Sequence, residues 1–180
     1  MAIGQSATTP TTSDIFACFG PPTHTTGTCS DASLSCASLP TNDTIACVPV
    51  PHETYMIRNA DTGGAITMED GLLTLKMPVG TRGGWHWHCV ERAGGWLGFR
   101  EAVSGKHLGR DGKGGFQAQF NHFDDWESFC LRPLGEGRYH LLVLRKEKTC
   151  YLRRIGVADA SKLVEVEAAA KATRWEFVKV

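Results

Sequence analysis

One motif returns three times in this chain and restricts its fold more than any other feature. Tryptophan leads a short run in Trp85-His86-Trp87-His88-Cys89-Val90, in Trp126-Glu127-Ser128-Phe129-Cys130-Leu131 and in Trp175-Glu176-Phe177-Val178-Lys179-Val180. Each run closes a block with one internal order. An aromatic-led strand comes first: Tyr55-Met56-Ile57-Arg58, Trp96-Leu97-Gly98-Phe99-Arg100 and Tyr139-His140-Leu141-Leu142-Val143. A turn then leads into a short apolar element: Ala65-Ile66, His107-Leu108-Gly109 and Tyr151-Leu152. A second, alternating strand follows: Leu73-Thr74-Leu75-Lys76, Phe116-Gln117-Ala118-Gln119-Phe120 and Leu163-Val164-Glu165-Val166-Glu167. From the first residue of that strand to the Trp there are 12 steps in blocks one and three and 10 in block two.

Units of about 40 residues with about four short strands cannot bury an apolar face alone and must close on one another. Three such units, with no helix needed between them, predict an all-β protein, a β-trefoil. Its repeats run at approximately 53–92, 93–134 and 135–180, within a domain over 51–180.

The first fifty residues differ in kind. Ser, Thr and Pro make up 21 of them, and four cysteines stand at Cys18, Cys29, Cys36 and Cys47. The composition predicts an irregular N-terminal arm over 1–50. The clusters Ile15-Phe16-Ala17-Cys18-Phe19 and Ile45-Ala46-Cys47-Val48-Pro49-Val50 would let it lie across the trefoil. The cysteine gaps of 10, 6 and 10 residues do not match the short C-x2–4-C pairing of structural zinc. With seven cysteines in all, at least one thiol stays unpaired within a monomer. There is neither a signal-peptide pattern nor an apolar run of membrane-spanning length. The expectation is therefore a soluble, cytoplasmic monomer with no membrane partner, in which disulfides stay reduced and the Asn42-Asp43-Thr44 sequon carries no weight.

Formal net charge is zero, but all 19 Lys and Arg follow residue 50. The repeat domain alone carries 19 minus 16, or +3, too little to predict a nucleic-acid partner. Asp61-Thr62-Gly63-Gly64, Glu69-Asp70-Gly71, Ser104-Gly105 and Asp111-Gly112 read as turns between strands. Between Ser161 and Thr173, Ala, Glu and Lys favour helix. The alternation at 163–167 and its place in the repeat predict a strand there, with a short helical turn at 168–170.

Block two carries a further likeness. Ser104-Gly105-Lys106-His107-Leu108-Gly109-Arg110-Asp111, then Trp126-Glu127-Ser128-Phe129, then Gly137-Arg138-Tyr139-His140-Leu141-Leu142, resembles the fascin-like β-trefoil family with its GKYLG, WExF and GxYxLL patterns. The likeness covers about Glu53 to Val180 and implies the same fold. Family modules bundle actin as tandem trefoils, a multivalency that a single trefoil lacks. Ricin-type lectins share the architecture and carry Gln-x-Trp in each repeat. That tripeptide does not occur here, which disfavours sugar binding of that type.

Several residues are candidates for chemistry. On a strand, Trp85 and Trp87 share one face and His86 and His88 the other. Two imidazoles on one face suit an H-x-H metal pair, with His107 or His122 as a third ligand, but solvated histidines beside core tryptophans explain the pattern as well, and no metal or cofactor is assigned. Trp85, Trp87, Trp96, His86, His88 and His107 are the candidate ligand-binding residues. Asp124 and Asp125, with His122 nearby, are the candidate acid–base groups, although loop Asp residues are commonly turn formers. Cys89 and Cys130, each four residues after its Trp, read as small core residues. Arg153, Arg154 and Arg174, with Arg82 and Arg92, could face an anion, or be solvated.

Two functions follow. One is a non-catalytic recognition module that binds a protein or a small molecule through trefoil loops. The alternative is a small enzyme of the cyclase or isomerase type in specialised metabolism, its aromatic pocket served by His and Asp and lidded by the arm. The recognition module is preferred.

Overall fold

The computed structural model describes residues 46–80 and 83–180. Residues 1–45 of the expected arm, and with them the lid, lie outside the described residues, which contain the repeats.

Among the described residues twelve strands follow one another, four to a repeat. The first repeat holds β1 (Thr54–Asn59), β2 (Ala65–Glu69), β3 (Leu72–Lys76) and β4 (Trp87–Arg92). The second holds β5 (Trp96–Glu101), β6 (His107–Arg110), β7 (Phe116–Phe120) and β8 (Phe129–Gly135). The third holds β9 (Arg138–Lys146), β10 (Cys150–Ala158), β11 (Lys162–Val166) and β12 (Trp175–Lys179). Two one-turn 3₁₀ segments, Asp125–Glu127 and Ala169–Lys171, interrupt the loops before β8 and β12. The strand and the helical turn expected between Ser161 and Thr173 are thus both present. Among the described residues no helix is long and apolar enough to cross a membrane.

The first and last strands of each repeat form a closed antiparallel ring, β1–β4–β5–β8–β9–β12 and back to β1. Closure leaves no unpaired edge in that ring. The register explains the core. Tyr55 faces Trp87, Cys89 faces Phe99, Leu97 faces Phe129, Leu131 faces Leu141, Tyr139 faces Trp175 and Ile57 faces Phe177. Ten of them belong to one buried apolar cluster inside the barrel, and Leu97 and Leu131 pack against it. The hairpins β2–β3, β6–β7 and β10–β11 cap one end and are stitched together by main-chain bonds, Leu75 N–H to Ser161 O (3.0 Å) and Glu165 N–H to Gly114 O (2.8 Å). Asp70 and Gly71 both take positive φ in the two-residue link between β2 and β3, where glycine meets the demand of the tight hairpin turn.

Two of the three tryptophans chosen to align the repeats hold different places. The Trp87 indole N–H donates to Ile66 O at 2.8 Å, and the Trp175 indole N–H to Ile155 O at 3.4 Å. Both rings are fully buried, and Phe129 occupies the matching place in repeat two. The equivalent residues are therefore Trp87, Phe129 and Trp175, not Trp85, Trp126 and Trp175. Trp126 sits instead in the 3₁₀ turn and is 44% exposed. Likewise Ile155, not Tyr151-Leu152, matches Ile66 and Leu108. The slips in repeats two and three have separate causes: the Trp126 run opens on a 3₁₀ turn where a strand was expected, and β9 and β10 are nine residues long.

Residues 46–50, assigned by composition to the arm, pack on the barrel. Ala46 bridges Val178, Cys47 N–H donates to Phe177 O (2.9 Å), and Val50 N–H donates to the Tyr55 hydroxyl (2.9 Å).

Candidate functional site

The 3₁₀ turn before β8 creates the site. In Asp124-Asp125-Trp126-Glu127 the spacing of Asp124 and Glu127 is that of a helix start, with an acidic side chain three residues after the first position. The Glu127 carboxylate accepts the Asp124 N–H at 2.8 Å, and the Ser128 hydroxyl donates to Asp124 O at 2.6 Å. Glu127 is only 2% exposed, and burial pushes its carboxyl above the usual carboxylate range, opposed by the Asp124 bond. It fits because Gly109 stands beside it: a Cβ there would come within 2.9 Å of Glu127 Oε1 and 2.8 Å of the Phe120 ring.

This arrangement lifts Trp126 onto the surface and holds it there. The ring lies 5.2 Å from the Arg110 guanidinium and meets Phe120 edge-on at 6.4 Å. Arg110 is itself buried and donates to Leu144 O at 3.2 Å. An exposed indole fixed by a cation and a second ring is a rigid platform, costing little side-chain entropy when a ligand settles on it.

Around the platform is an open cleft of about 620 Å³, lined by Asn121, His122, Asp124, Asp125, Trp126 and Lys146 over a floor of Phe120, Glu127 and Leu144. Asp125 accepts from Lys146 Nζ (2.7 Å) and Arg92 Nη2 (2.8 Å), which hold its carboxyl below the usual range. Asp125 is thus a fixed carboxylate inside a charge triad, poorly placed to trade protons near neutral pH. Asp124 is exposed and enters no ion pair among the described residues. Asn121 accepts from Lys106 Nζ at 2.7 Å through its amide oxygen, which leaves its NH₂ to donate. The cleft offers a flat aromatic surface flanked by a free acceptor and a free donor.

The acid–base candidates His122, Asp124 and Asp125 are therefore brought together, while the other candidates lie outside this lining. Trp87 is a core residue with no face for a ligand. His107, 8% exposed, stacks on Phe123 at 6.0 Å, and burial lowers its pKa. Trp96 begins β5 opposite Arg92. Trp85 and His86 precede β4 and pack against one another, and His88 Nδ1 lies 3.4 Å from the Thr54 hydroxyl. Among the described residues no three His, Cys, Asp or Glu side chains converge as metal ligands, so the third partner an H-x-H pair needs is missing there. Trp126 was not among the candidates. The signal that could have found it is the Asp124–Glu127 spacing, which marks a turn rather than a strand.

No protein-family model and no curated protein sequence matches the chain. Solved structures do. A designed three-fold symmetric protein, ThreeFoil, superposes with a TM-score of 0.59 at 17% identity, over 71% of this chain and 99% of its own. SeviL bound to asialo-GM1 saccharide gives 0.58 at 16% identity, covering 71% and 98%. The ricin B-like lectin of Macrolepiota procera in complex with lactose gives 0.57 at 16% identity, covering 74% and 100%. The chain adopts the β-trefoil fold that these proteins share. The fascin-like motifs stay a resemblance of short patterns, since no family model supports them.

Proposed function

We propose that this protein is a non-catalytic recognition module that binds a carbohydrate in the cleft of its second repeat. One observation carries the reading: Trp126 is exposed yet anchored on Arg110 and Phe120, with the exposed Asp124 carboxylate and the Asn121 amide beside it. A sugar ring presents apolar C–H groups on one face and hydroxyls at its rim, which suits an aromatic plane bordered by an acceptor and a donor. The saccharide complexes of two proteins with the same fold support that ligand class. The missing Gln-x-Trp is no obstacle, because here the aromatic surface comes from the 3₁₀ turn before β8. Repeats one and three have Gly84 and Ala172 three residues before their core Trp, where repeat two has Trp126, so the module presents one such platform among the described residues.

Titration calorimetry with lactose, preceded by a screen on an array of neutral and acidic oligosaccharides, tests the reading. We expect a single-site isotherm that weakens about tenfold or more in Trp126→Ala, the loss of a stacked aromatic contact. Failure of every glycan to bind, or equal binding by the variant with an unchanged circular dichroism spectrum, refutes it.

A further inference from the structure

A second basic cluster lies on the outer face of strands β8, β9 and β10. Arg132 on β8 is the direct cross-strand partner of His140 on β9. Arg154 on β10 is the partner of Leu142, two residues along β9 and so on the same face as His140. Direct partners stand about 5 Å apart at Cβ and diagonal ones about 7–8 Å, so three basic side chains share one small area.

Their partners are few. Among the described residues no carboxylate pairs with Arg132 or Arg154; Arg154 donates only to the Glu167 main-chain O, at 2.8 Å. The acids nearby are committed elsewhere: Glu136 and Glu176 to Arg138, Glu176 also to Arg58, and the Glu167 carboxylate to Arg153. His140 is 8% exposed, and its Nδ1 has no hydrogen-bond partner, nor has Arg154 Nε. Burial and then the two arginines lower the His140 pKa, as expected where positive charges crowd without a counter-charge. An orphaned buried donor such as Arg154 Nε costs free energy, and an anion that completes the cluster supplies its partner.

We propose that Arg132, His140 and Arg154 form a binding site for a tetrahedral oxyanion, the sulfate or phosphate-monoester group of a ligand. Two guanidinium forks match the oxygens of such a group, and the imidazole adds a third donor. The exposed Arg132 side chain swings aside to admit the anion and closes on it. The proposal stands apart from the carbohydrate cleft, because it involves neither Trp126 nor Asp124.

The test is an NMR titration of the histidine ring resonances of the full chain with sodium sulfate, at constant ionic strength maintained with chloride. Glycerol phosphate and acetate serve as separate arms. We expect a saturable shift of the His140 ring, a rise in its pKa on binding, and affinity about tenfold lower in Arg132→Gln, the loss of one charged hydrogen-bonding group. The exposed His52 and His122, measured in the same spectra, report general salt effects. Preference for sulfate over glycerol phosphate, or the reverse, identifies the source of the group. A linear shift shared by all histidines, equal affinity in Arg132→Gln, or acetate binding as tightly as the dianions overturns the proposal.

Discussion

Replacing Trp87 with phenylalanine separates the hydrogen bond of the core indole from its bulk. The Trp87 N–H reaches Ile66 O at 2.8 Å, and Ile66 draws no ladder bond from Leu75, the residue opposite, whose N–H goes to Ser161. Phenylalanine leaves that buried carbonyl unsatisfied, at a cost of about 1–3 kcal/mol. The smaller ring gives up apolar burial and leaves a void, which adds about 1–2 kcal/mol. The expected loss is about 2–5 kcal/mol. Trp175 provides an internal control. Its bond to Ile155 O spans 3.4 Å, so Trp175→Phe loses mainly packing and should cost about 2 kcal/mol. Phe129 shows that the ring alone suffices at the third equivalent place. Urea unfolding followed by far-ultraviolet circular dichroism, with slopes compared across variants, measures both losses. Equal costs for the two substitutions, or a loss below about 1 kcal/mol in Trp87→Phe, would refute the argument that the short tie to Ile66 anchors the hairpin on the barrel.

Two further outcomes follow from burial. The Cys89 thiol is pushed up to about 12 and that of Cys130 to about 11, both chiefly by burial, whereas Cys150 is exposed. In the native protein at about pH 8, iodoacetamide should modify Cys150 well before Cys89 or Cys130; peptide mass spectrometry reads the order, and early modification of Cys89 would contradict the closed core. His107 and His140 both have pKa values below the ordinary 6.5, mainly from burial, so as pH falls below that value the unfolded chain takes up protons first and stability declines. Glu127, raised by burial, acts in the opposite sense as pH falls toward its unfolded value of 4.5. Thermal unfolding between about pH 7 and 5.5, in buffer free of sulfate and phosphate, should show a decline that is shallower in His107→Gln and His140→Gln. An unchanged slope in both variants would contradict the reading of these two imidazoles.

How much of the molecule could be read from its residues differs between fold and site. The strands that lead each repeat, the alternating strands and the Asp-Gly turns were legible, because period-two alternation and positive-φ turn chemistry are local properties. The register of the core tryptophans was not. Trp85 and Trp87 both belong to a Trp-rich run, and only the bonds to Ile66 and Ile155 show which ring is equivalent to Trp175. The cluster of His122, Asp124 and Asp125 was visible as a loop with carboxylates. Its chemistry was decided at a distance, by Arg92 and Lys146, which lie 33 residues before and 21 after Asp125 and fix it as a carboxylate.

The repeat by itself therefore determined the three-fold β architecture, since three similar amphipathic units have no other way to bury their apolar faces. The tertiary structure alone decided where each aromatic ring ended up. Trp87 and Trp126 are the same side chain in similar company along the chain. One points into the barrel and is lost to solvent, while the other is raised by a single helical turn onto Arg110 and becomes a surface. Burial is a property of neighbours that fold in from elsewhere, and those neighbours are not written beside the residue they cover.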